Sequence, residues 1–96
     1  MTDLNVIALI PAKPGSEGVV RDALTVLLGH TRREAGCLKY ELFESAATPG
    51  TFVTVEEWTD QAALDAHLAS PHLAAALAAA GDSLAAAPAI HPLKPA

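Results

Sequence analysis

The sequence predicts an α+β domain of the ferredoxin-like type, in which a four-stranded antiparallel sheet carries helices on one face. Apolar residues repeat at strand spacing in some segments and at helix spacing in others, in the order strand, helix, strand, strand, helix, strand. That order is the split βαβ arrangement. Residues 1–96 are enough for a single domain, and a hydrophobic content of 51% is typical of a packed core.

The first strand and the first helix are predicted from a change of period. Leu4 to Pro11 is a nearly continuous apolar run, which predicts a strand buried on both faces, and residues 11–15 have a turn-forming composition. From Ser16 onward the apolar positions follow helical spacing. The helix should end before Gly36, because glycine readily adopts the left-handed conformation that closes helices.

A β-hairpin is predicted after the first helix. Apolar and polar side chains alternate over Cys37 to Ser45 and again over Thr51 to Trp58, and residues 46–50 between them supply proline and glycine for a turn. Because side chains alternate along a strand, Glu56 and Trp58 should point to the same face of the sheet.

Two helical segments and a short strand complete the prediction. Thr59 or Asp60 can cap the first segment, and Ser70 followed by Pro71 can cap the second. The second segment should continue to Pro88, with an apolar stripe made of Leu73, Leu77, Ala80 and Leu84. Residues Ala89 to Leu93 should form a strand at an edge or one that crosses between subunits, because Pro92 cannot serve in a central strand.

The apolar residues on both faces of the first strand predict a homodimer. The helices cover one face of the sheet, so the opposite face must be covered by something else. A second copy of the same sheet is the simplest cover, related by a two-fold axis.

Charge and composition exclude several classes of function. Eleven acidic residues against six basic ones give a net charge of -5, which repels phosphate backbones, so no nucleic-acid partner is expected. No apolar run reaches the length of a membrane-spanning helix, so no membrane association is expected. The single cysteine, Cys37, cannot form an internal disulfide, and the N-terminal sequence lacks the features of a secretory leader. These features predict a cytoplasmic protein.

Three motifs carry a resemblance to a known family. They are E-x-G-C-x-x-Y from Glu34 to Tyr40, E-x-W from Glu56 to Trp58, and H-x4-H from His67 to His72. In this order they resemble antibiotic biosynthesis monooxygenase domains, especially the quinol monooxygenase branch. The similarity extends from Asn5 through the helix that follows the last motif.

The resemblance implies a dimeric α+β barrel in which each protomer has a cavity between its sheet and its helices. It also implies a cofactor-independent monooxygenase that oxidises a quinol or polyphenolic aromatic substrate with molecular oxygen, using neither flavin, haem nor metal. In such chemistry the deprotonated substrate itself reduces oxygen. The protein must therefore bind the ring, remove a proton and stabilise the anion.

The resemblance also assigns catalytic residues. Members with studied chemistry use an asparagine on the first strand and a tryptophan at the end of the third, and Asn5 and Trp58 occupy the matching positions. Asn5 would donate a hydrogen bond to the substrate oxygen, and Trp58 would form a wall of the site. His67 and His72 are candidate bases, because imidazole titrates near neutral pH.

Three further residues are expected to contribute to substrate binding. Tyr40 would line either the cavity or the dimer interface. Glu56 requires a bonding partner if it is buried beside Trp58, and a structural bond to a helix or to His67 is favoured over a catalytic role. Leu77 occupies the position where haem-degrading relatives carry the histidine that binds iron. A leucine at this position argues against haem binding.

A metal site is not expected, because His67 and His72 are separated by Pro71 and do not share one helix face. Cys37 is expected to be a structural thiol, since the negative end of the helix dipole disfavours a thiolate. Two alternative functions stay open beside the oxygenase. One is a non-catalytic module that binds an aromatic ligand or serves only for dimerisation, and the other is a haem-binding or haem-degrading monooxygenase.

Overall fold

The computed structural model describes residues 3–96 and contains the predicted elements in the predicted order. The fold is the ferredoxin-like α+β arrangement, with helices on one side of a four-stranded antiparallel sheet. The elements are β1 (Leu4–Pro11), α1 (Glu17–Thr31), β2 (Cys37–Glu44), β3 (Thr51–Trp58), α2 (Gln61–Leu68), α3 (Pro71–Ala80), a 3₁₀ turn (Gly81–Ser83) and β4 (Ala89–Pro92).

The strands lie in the order β2-β3-β1-β4, so β1 and β3 form the centre of the sheet. They pair along their whole length, from Leu4 opposite Trp58 to Pro11 opposite Thr51. β4 pairs with the other side of β1 and forms an edge. An edge is the position that suits a strand ending in Pro92, because proline has no backbone N–H to donate.

Alternation along the central strands sends one set of side chains toward the helices. In β3 this set is fully buried, which confirms the prediction that Glu56 and Trp58 share a face. One apolar cluster packs α1 and α3 against the middle of the sheet. A second cluster surrounds Trp58 at the end of the sheet and contains Val6, Tyr40 and Leu64. The polar residues of β3 therefore lie between two apolar cores.

Two capped helix starts form the corner between α2 and α3. Asp60 accepts a backbone N–H of α2 at 2.9 Å, and Ser70 accepts one of α3 at 3.2 Å. Pro71 occupies the first turn of α3, where its missing N–H costs no helical hydrogen bond. The break between the helices is short, so the end of α2 and the start of α3 lie close together. This corner brings His67 and His72 into the same region.

The prediction that the second helical segment continues to Pro88 is wrong. α3 ends at Ala80, because Gly81 has a φ of +43° and leaves the helical conformation. Leu84 lies beyond the helix, and Leu77 is partly exposed. None of the helices within residues 3–96 combines the length and the apolar character that crossing a bilayer requires.

The second face of the sheet is uncovered in the protomer, and we call it the open face. Within the protomer β1 buries only its alternate residues that face the helices, so burial of its second face depends on a partner. Leu9 on the open face is 39% exposed, and Phe43 is 54% exposed. The strand pairing aligns the apolar side chains of this face in adjacent rows made of Ile7, Leu9, Phe43, Val53 and Val55. Asn5 also lies on this face.

Substitution of Gly36 tests the turn between α1 and β2. Gly36 has a φ of +86°, and an added Cβ would lie 2.7 Å from Ala63 Cβ and 2.9 Å from Thr59 Oγ1. We expect Gly36→Ala to lower the free energy of unfolding by about 2 kcal/mol or more, since left-handed strain and overpacking act together. Urea unfolding followed by circular dichroism, at one fixed protein concentration, measures the change.

The matched control is Gly29→Ala in α1, where an added Cβ meets nothing within 4 Å. This change should raise the free energy of unfolding by roughly 0.5–1 kcal/mol, because alanine is the better helix former. Similar effects of the two substitutions would contradict the tight packing assigned to Gly36.

Candidate functional site

A cavity of about 60 Å³ lies between the sheet and the helices α1 and α3. Most of the lining residues are apolar, and most of these apolar residues belong to β1, α1, α3 and β4. Leu68, Leu77 and Ile90 line the cavity and are each about two-fifths exposed, so they form its rim. The polar lining is concentrated in four side chains, which are Tyr40, Thr54, Glu56 and His67. An apolar chamber with a few convergent polar groups is typical of a small-molecule site.

Glu56 is held by hydrogen bonds from its own strand. Thr54 Oγ1 donates to Glu56 Oε2 at 2.6 Å, and Trp58 Nε1 donates to Glu56 Oε1 at 3.0 Å. The period of two places all three side chains on one face, so each oxygen of the buried carboxylate has a donor. The expected structural bond exists, but its partners are neither a helix nor His67.

His67 is the buried imidazole that α2 contributes to the cavity lining. Its side chain is only 3% exposed. Its ring centroid lies 4.8 Å from that of Trp58 and 5.5 Å from that of Tyr40. Packing between two large aromatic side chains restricts the rotation of the imidazole.

Glu34 connects His67 with His72. Oε2 of Glu34 lies 2.6 Å from His67 Nδ1 and 2.9 Å from His72 Nε2. His72 is nearer the surface, with 20% of its side chain exposed, and its ring stacks on that of His30 at a centroid distance of 5.7 Å. A chain of polar groups therefore leads from the cavity wall to the exterior.

One ring nitrogen of His67, Nε2, has no hydrogen-bond partner among residues 3–96. Among residues 3–96, Thr31 Oγ1 is the only fully enclosed side-chain nitrogen or oxygen that has no hydrogen bond. His67 Nε2 has no hydrogen-bond partner in this range either, so it must reach open space. The cavity is the space that His67 lines. Nε2 is therefore the unbonded ring nitrogen of a side chain that lines this cavity.

Two other titratable groups near the site stay protonated. Burial, followed by the negative charge of Glu56, raises the pKa of the Tyr40 phenol well above its usual value. Burial, followed by the charges of Glu34 and Glu56, raises the pKa of the Cys37 thiol. The protonated Tyr40 hydroxyl has the side chain of Thr54 as a hydrogen-bond partner. A protonated, half-buried Cys37 fits the expected structural thiol.

The structure brings most of the predicted site residues together, with one exception. Tyr40, Glu56 and His67 line the cavity, and Trp58 packs behind them. Asn5 is exposed on the open face, where it pairs with Glu57, and it does not line the cavity. The expectation that Asn5 and Trp58 serve one site is therefore wrong, since the two side chains lie on opposite faces of the sheet.

Leu77 lies on the cavity rim, in agreement with a contribution to substrate binding. A leucine side chain has no atom that binds iron, so this position cannot supply the axial ligand that a haem enzyme needs. His72 does not line the cavity itself. It contacts the site through Glu34.

Glu34 is the site residue that the sequence interpretation did not single out. The signal was present, because Glu34 is the first residue of the motif E-x-G-C-x-x-Y. Its position after a helix, beside two arginines, is equally typical of a solvated helix end. Only the fold shows that this helix end adjoins the corner between α2 and α3.

The Glu34, His67 and His72 side chains are also the described residues best placed to hold a metal ion. His67 and His72 lie on different helices, as expected, but the three ligand atoms still lie within 4.8 Å of one another, so a shared helix face is not needed to bring them together. The contacts of 2.6 and 2.9 Å each join an imidazole nitrogen to Glu34 Oε2, and the donor in each contact depends on the tautomer of the ring.

The sequence matches one protein family over residues 4–79, and that family is described as Antibiotic biosynthesis monooxygenase. Putative monooxygenase Rv0793 of Mycobacterium tuberculosis is 39% identical over 67 residues, which are 70% of this chain and 65% of the relative. Putative monooxygenase YcnE of Bacillus subtilis is 35% identical over 65 residues, or 68% of each chain. The match thus spans about two-thirds of these relatives.

Solved structures extend the similarity to almost the whole chain. The structure of Rv0793 has a TM-score of 0.88 and 34% identity, and the match covers 99% of this chain and 96% of that one. The crystal structure of PA3566 from Pseudomonas aeruginosa has a TM-score of 0.87 and 31% identity, covering 100% of this chain and 96% of that one.

Removal of a donor to Glu56 tests the energetic role of the buried carboxylate. Thr54→Val keeps the branched shape but deletes the 2.6 Å hydrogen bond to Glu56 Oε2. We expect the free energy of unfolding to fall by about 2 kcal/mol, as is typical for hydrogen bonds to charged groups. Urea unfolding at fixed protein concentration measures the loss.

Thr25→Val is the matched control. The Thr25 hydroxyl donates to the Arg21 carbonyl at 2.7 Å on the exposed side of α1. Its loss should change the free energy of unfolding by less than about 0.5 kcal/mol. Equal losses of unfolding free energy in the two variants would show that the hydrogen bond to Glu56 stabilises the fold no more than the exposed one at Thr25.

Proposed function

Since this chain belongs to the antibiotic biosynthesis monooxygenase family, we propose that it is a cofactor-independent monooxygenase that oxidises a quinol or related polyphenol with molecular oxygen. One observation carries the proposal. A buried imidazole, His67, contacts a carboxylate through Nδ1 and lines an apolar cavity. This is the arrangement that a general base for a phenolic proton requires.

The cavity supports an aromatic substrate. Its lining is predominantly aliphatic, and the few polar groups converge at the end that contains His67 and Tyr40. A planar ring would lie among the aliphatic side chains with its hydroxyl group toward the two polar residues. A volume of about 60 Å³ is smaller than an engineered cavity of about 150 Å³ that holds benzene. Entry of a ring therefore requires the exposed rim residues Leu68 and Leu77 to move outward.

The proposed reaction starts with proton transfer. His67 Nε2 accepts the phenolic proton, and the resulting phenolate delivers electrons to oxygen and forms a carbon–oxygen bond at a free ring position. The ring carbon of this peroxide then loses its proton while the oxygen–oxygen bond breaks. One oxygen atom stays as a carbonyl, and the other leaves as water. The product is the hydroxyquinone, and all electrons that reduce oxygen come from the substrate.

Neighbouring groups support this role for His67. Tyr40, whose pKa is raised, stays a hydrogen-bond donor and can stabilise the substrate oxyanion. The carboxylate of Glu34 stabilises the imidazolium that forms when His67 takes up the proton. Trp58 keeps Glu56 in place and packs against the His67 ring. Asn5 has no role in this proposal, because it lies on the open face.

A homodimer is the proposed assembly. The open face presents adjacent apolar rows from three strands, and an apolar surface of this kind is unusual on a monomer. Stacking the open faces of two copies would bury these rows without covering the cavity, which lies on the helical side.

Oxygen consumption tests the proposed activity. Purified protein, treated with a chelator, is mixed with a panel of quinols, and uptake is followed with an oxygen electrode. We expect one oxygen molecule per hydroxyquinone and no hydrogen peroxide. His67→Gln, which cannot take up the proton, should lower kcat/KM by about 10²–10⁴-fold. His91→Gln is the matched control, because His91 is exposed on β4 and alternates with the cavity residue Ile90.

The fluorescence of Trp58, the only tryptophan, separates catalysis from binding. A ring in the cavity should change this fluorescence in both the wild type and His67→Gln. A fluorescence change with no oxygen uptake above the uncatalysed rate, for every quinol, would contradict the oxygenase and favour the aromatic-ligand-binding module.

A charge on the open face tests the dimer. Leu9→Glu should raise the dimer dissociation constant at least about 100-fold, because a carboxylate would be buried without a partner at the interface. Val26→Glu is the control on the exposed side of α1, where Val26 is 64% exposed. Sedimentation velocity over a range of concentrations measures both. A wild-type protein that sediments as a monomer would contradict the proposed assembly.

A further inference from the structure

We infer that Glu34 is a positioning residue, which fixes the tautomer of His67 so that the lone pair of Nε2 faces the cavity. This inference rests on the proposed function of the same site and adds a residue to it. Glu34 does not line the cavity. It acts through His67 and is not itself a catalytic residue.

The tautomer follows from donors and acceptors. An ionised carboxylate only accepts hydrogen bonds, so both imidazoles that contact Glu34 Oε2 must donate to it. His67 then carries its proton on Nδ1, and in the neutral ring Nε2 is the acceptor. His72 carries its proton on Nε2. With the proton of His67 on the other nitrogen, Nε2 could not accept a phenolic proton.

The backbone around Glu34 is well fixed. Its N–H donates to the Thr31 carbonyl at 3.0 Å, and its carbonyl accepts from Cys37 N at 3.2 Å. The neighbouring Gly36 carbonyl accepts from Thr59 N at 2.9 Å, in the close contact between this turn and the start of α2. A carboxylate attached to such a turn can orient a ring across the gap between α1 and α2.

His72 adds a second restraint on Glu34. His72 donates a hydrogen bond to the same oxygen, Oε2, that accepts one from His67. The carboxylate is therefore held from two sides. Each element around His67 contributes a titratable group nearby. These are Glu34 in the turn, Tyr40 and Cys37 on β2, Glu56 on β3 and His72 on α3, with His30 of α1 stacked on His72.

The tautomer can be measured directly by ¹⁵N NMR of the imidazole nitrogens. The sample is the purified wild-type protein in its own oligomeric state. We expect His67 to carry its proton on Nδ1. In Glu34→Gln, whose amide group can donate as well as accept, the Nε2-protonated form of His67 should become populated. A wild-type His67 protonated on Nε2, or an unchanged tautomer in a folded Glu34→Gln variant, would overturn the inference.

Kinetics supply the second measurement. Glu34→Gln should lower kcat at least about 10-fold with little change in KM, since the ring is misoriented and the substrate contacts remain. The pH profile of kcat/KM should change as well, because Glu34→Gln removes a carboxylate that contacts the imidazole at 2.6 Å. Glu34→Asp, which keeps the charge, should retain the pH profile better than Glu34→Gln.

Glu41→Gln is the matched control for the same chemical change. Glu41 lies on β2, exposed and paired with Arg32. It should leave the tautomer, kcat and pH profile unchanged. An Nδ1-protonated His67 in a protein that consumes no oxygen would contradict the proposed function and leave the positioning by Glu34 intact. Oxygen uptake that is equal in wild type and Glu34→Gln would contradict the positioning role alone.

Discussion

The arrangement of the site depends on one carboxylate oxygen, Oε2 of Glu34. This oxygen contacts the imidazoles of His67 on α2 and His72 on α3. Apolar packing closes the cavity, but it is not directional and cannot decide which nitrogen of an imidazole points inward. Hydrogen bonds are directional and supply that choice. The chain therefore separates two tasks, because the aliphatic residues shape the chamber and one polar cluster restrains the imidazole of His67.

Much of the fold could be predicted from local pattern. The change from strand to helix spacing located β1 and α1, and the caps at Asp60 and Ser70 located the starts of α2 and α3. These signals are local, because a cap acts on the next turn of its own helix. The end of α3 could not be predicted in the same way. Alanine is helix-prone whether or not it is packed, so the alanine-rich sequence did not reveal the break at Gly81.

The site was less predictable, and two residues explain why. β1 is apolar at both of its alternating sets of positions, so its sequence did not reveal which set faces the helices. A change of one residue in that assignment moves a side chain to the other face, and this is the error made for Asn5. Glu34 was not identified from the sequence for a different reason. Its partners are far away in sequence, and only the corner between α2 and α3 brings them to it.

The proposed catalytic site and the proposed dimer interface lie on opposite sides of the sheet, and their separation has a consequence for enzyme kinetics. The cavity opens among the helices, whereas the uncovered apolar rows lie on the reverse side. In a stacked pair the two entrances would face outward, with both sheets between them. Occupancy of one chamber would then have no direct contact through which to alter the other. Saturation curves should be hyperbolic, with a Hill coefficient near one.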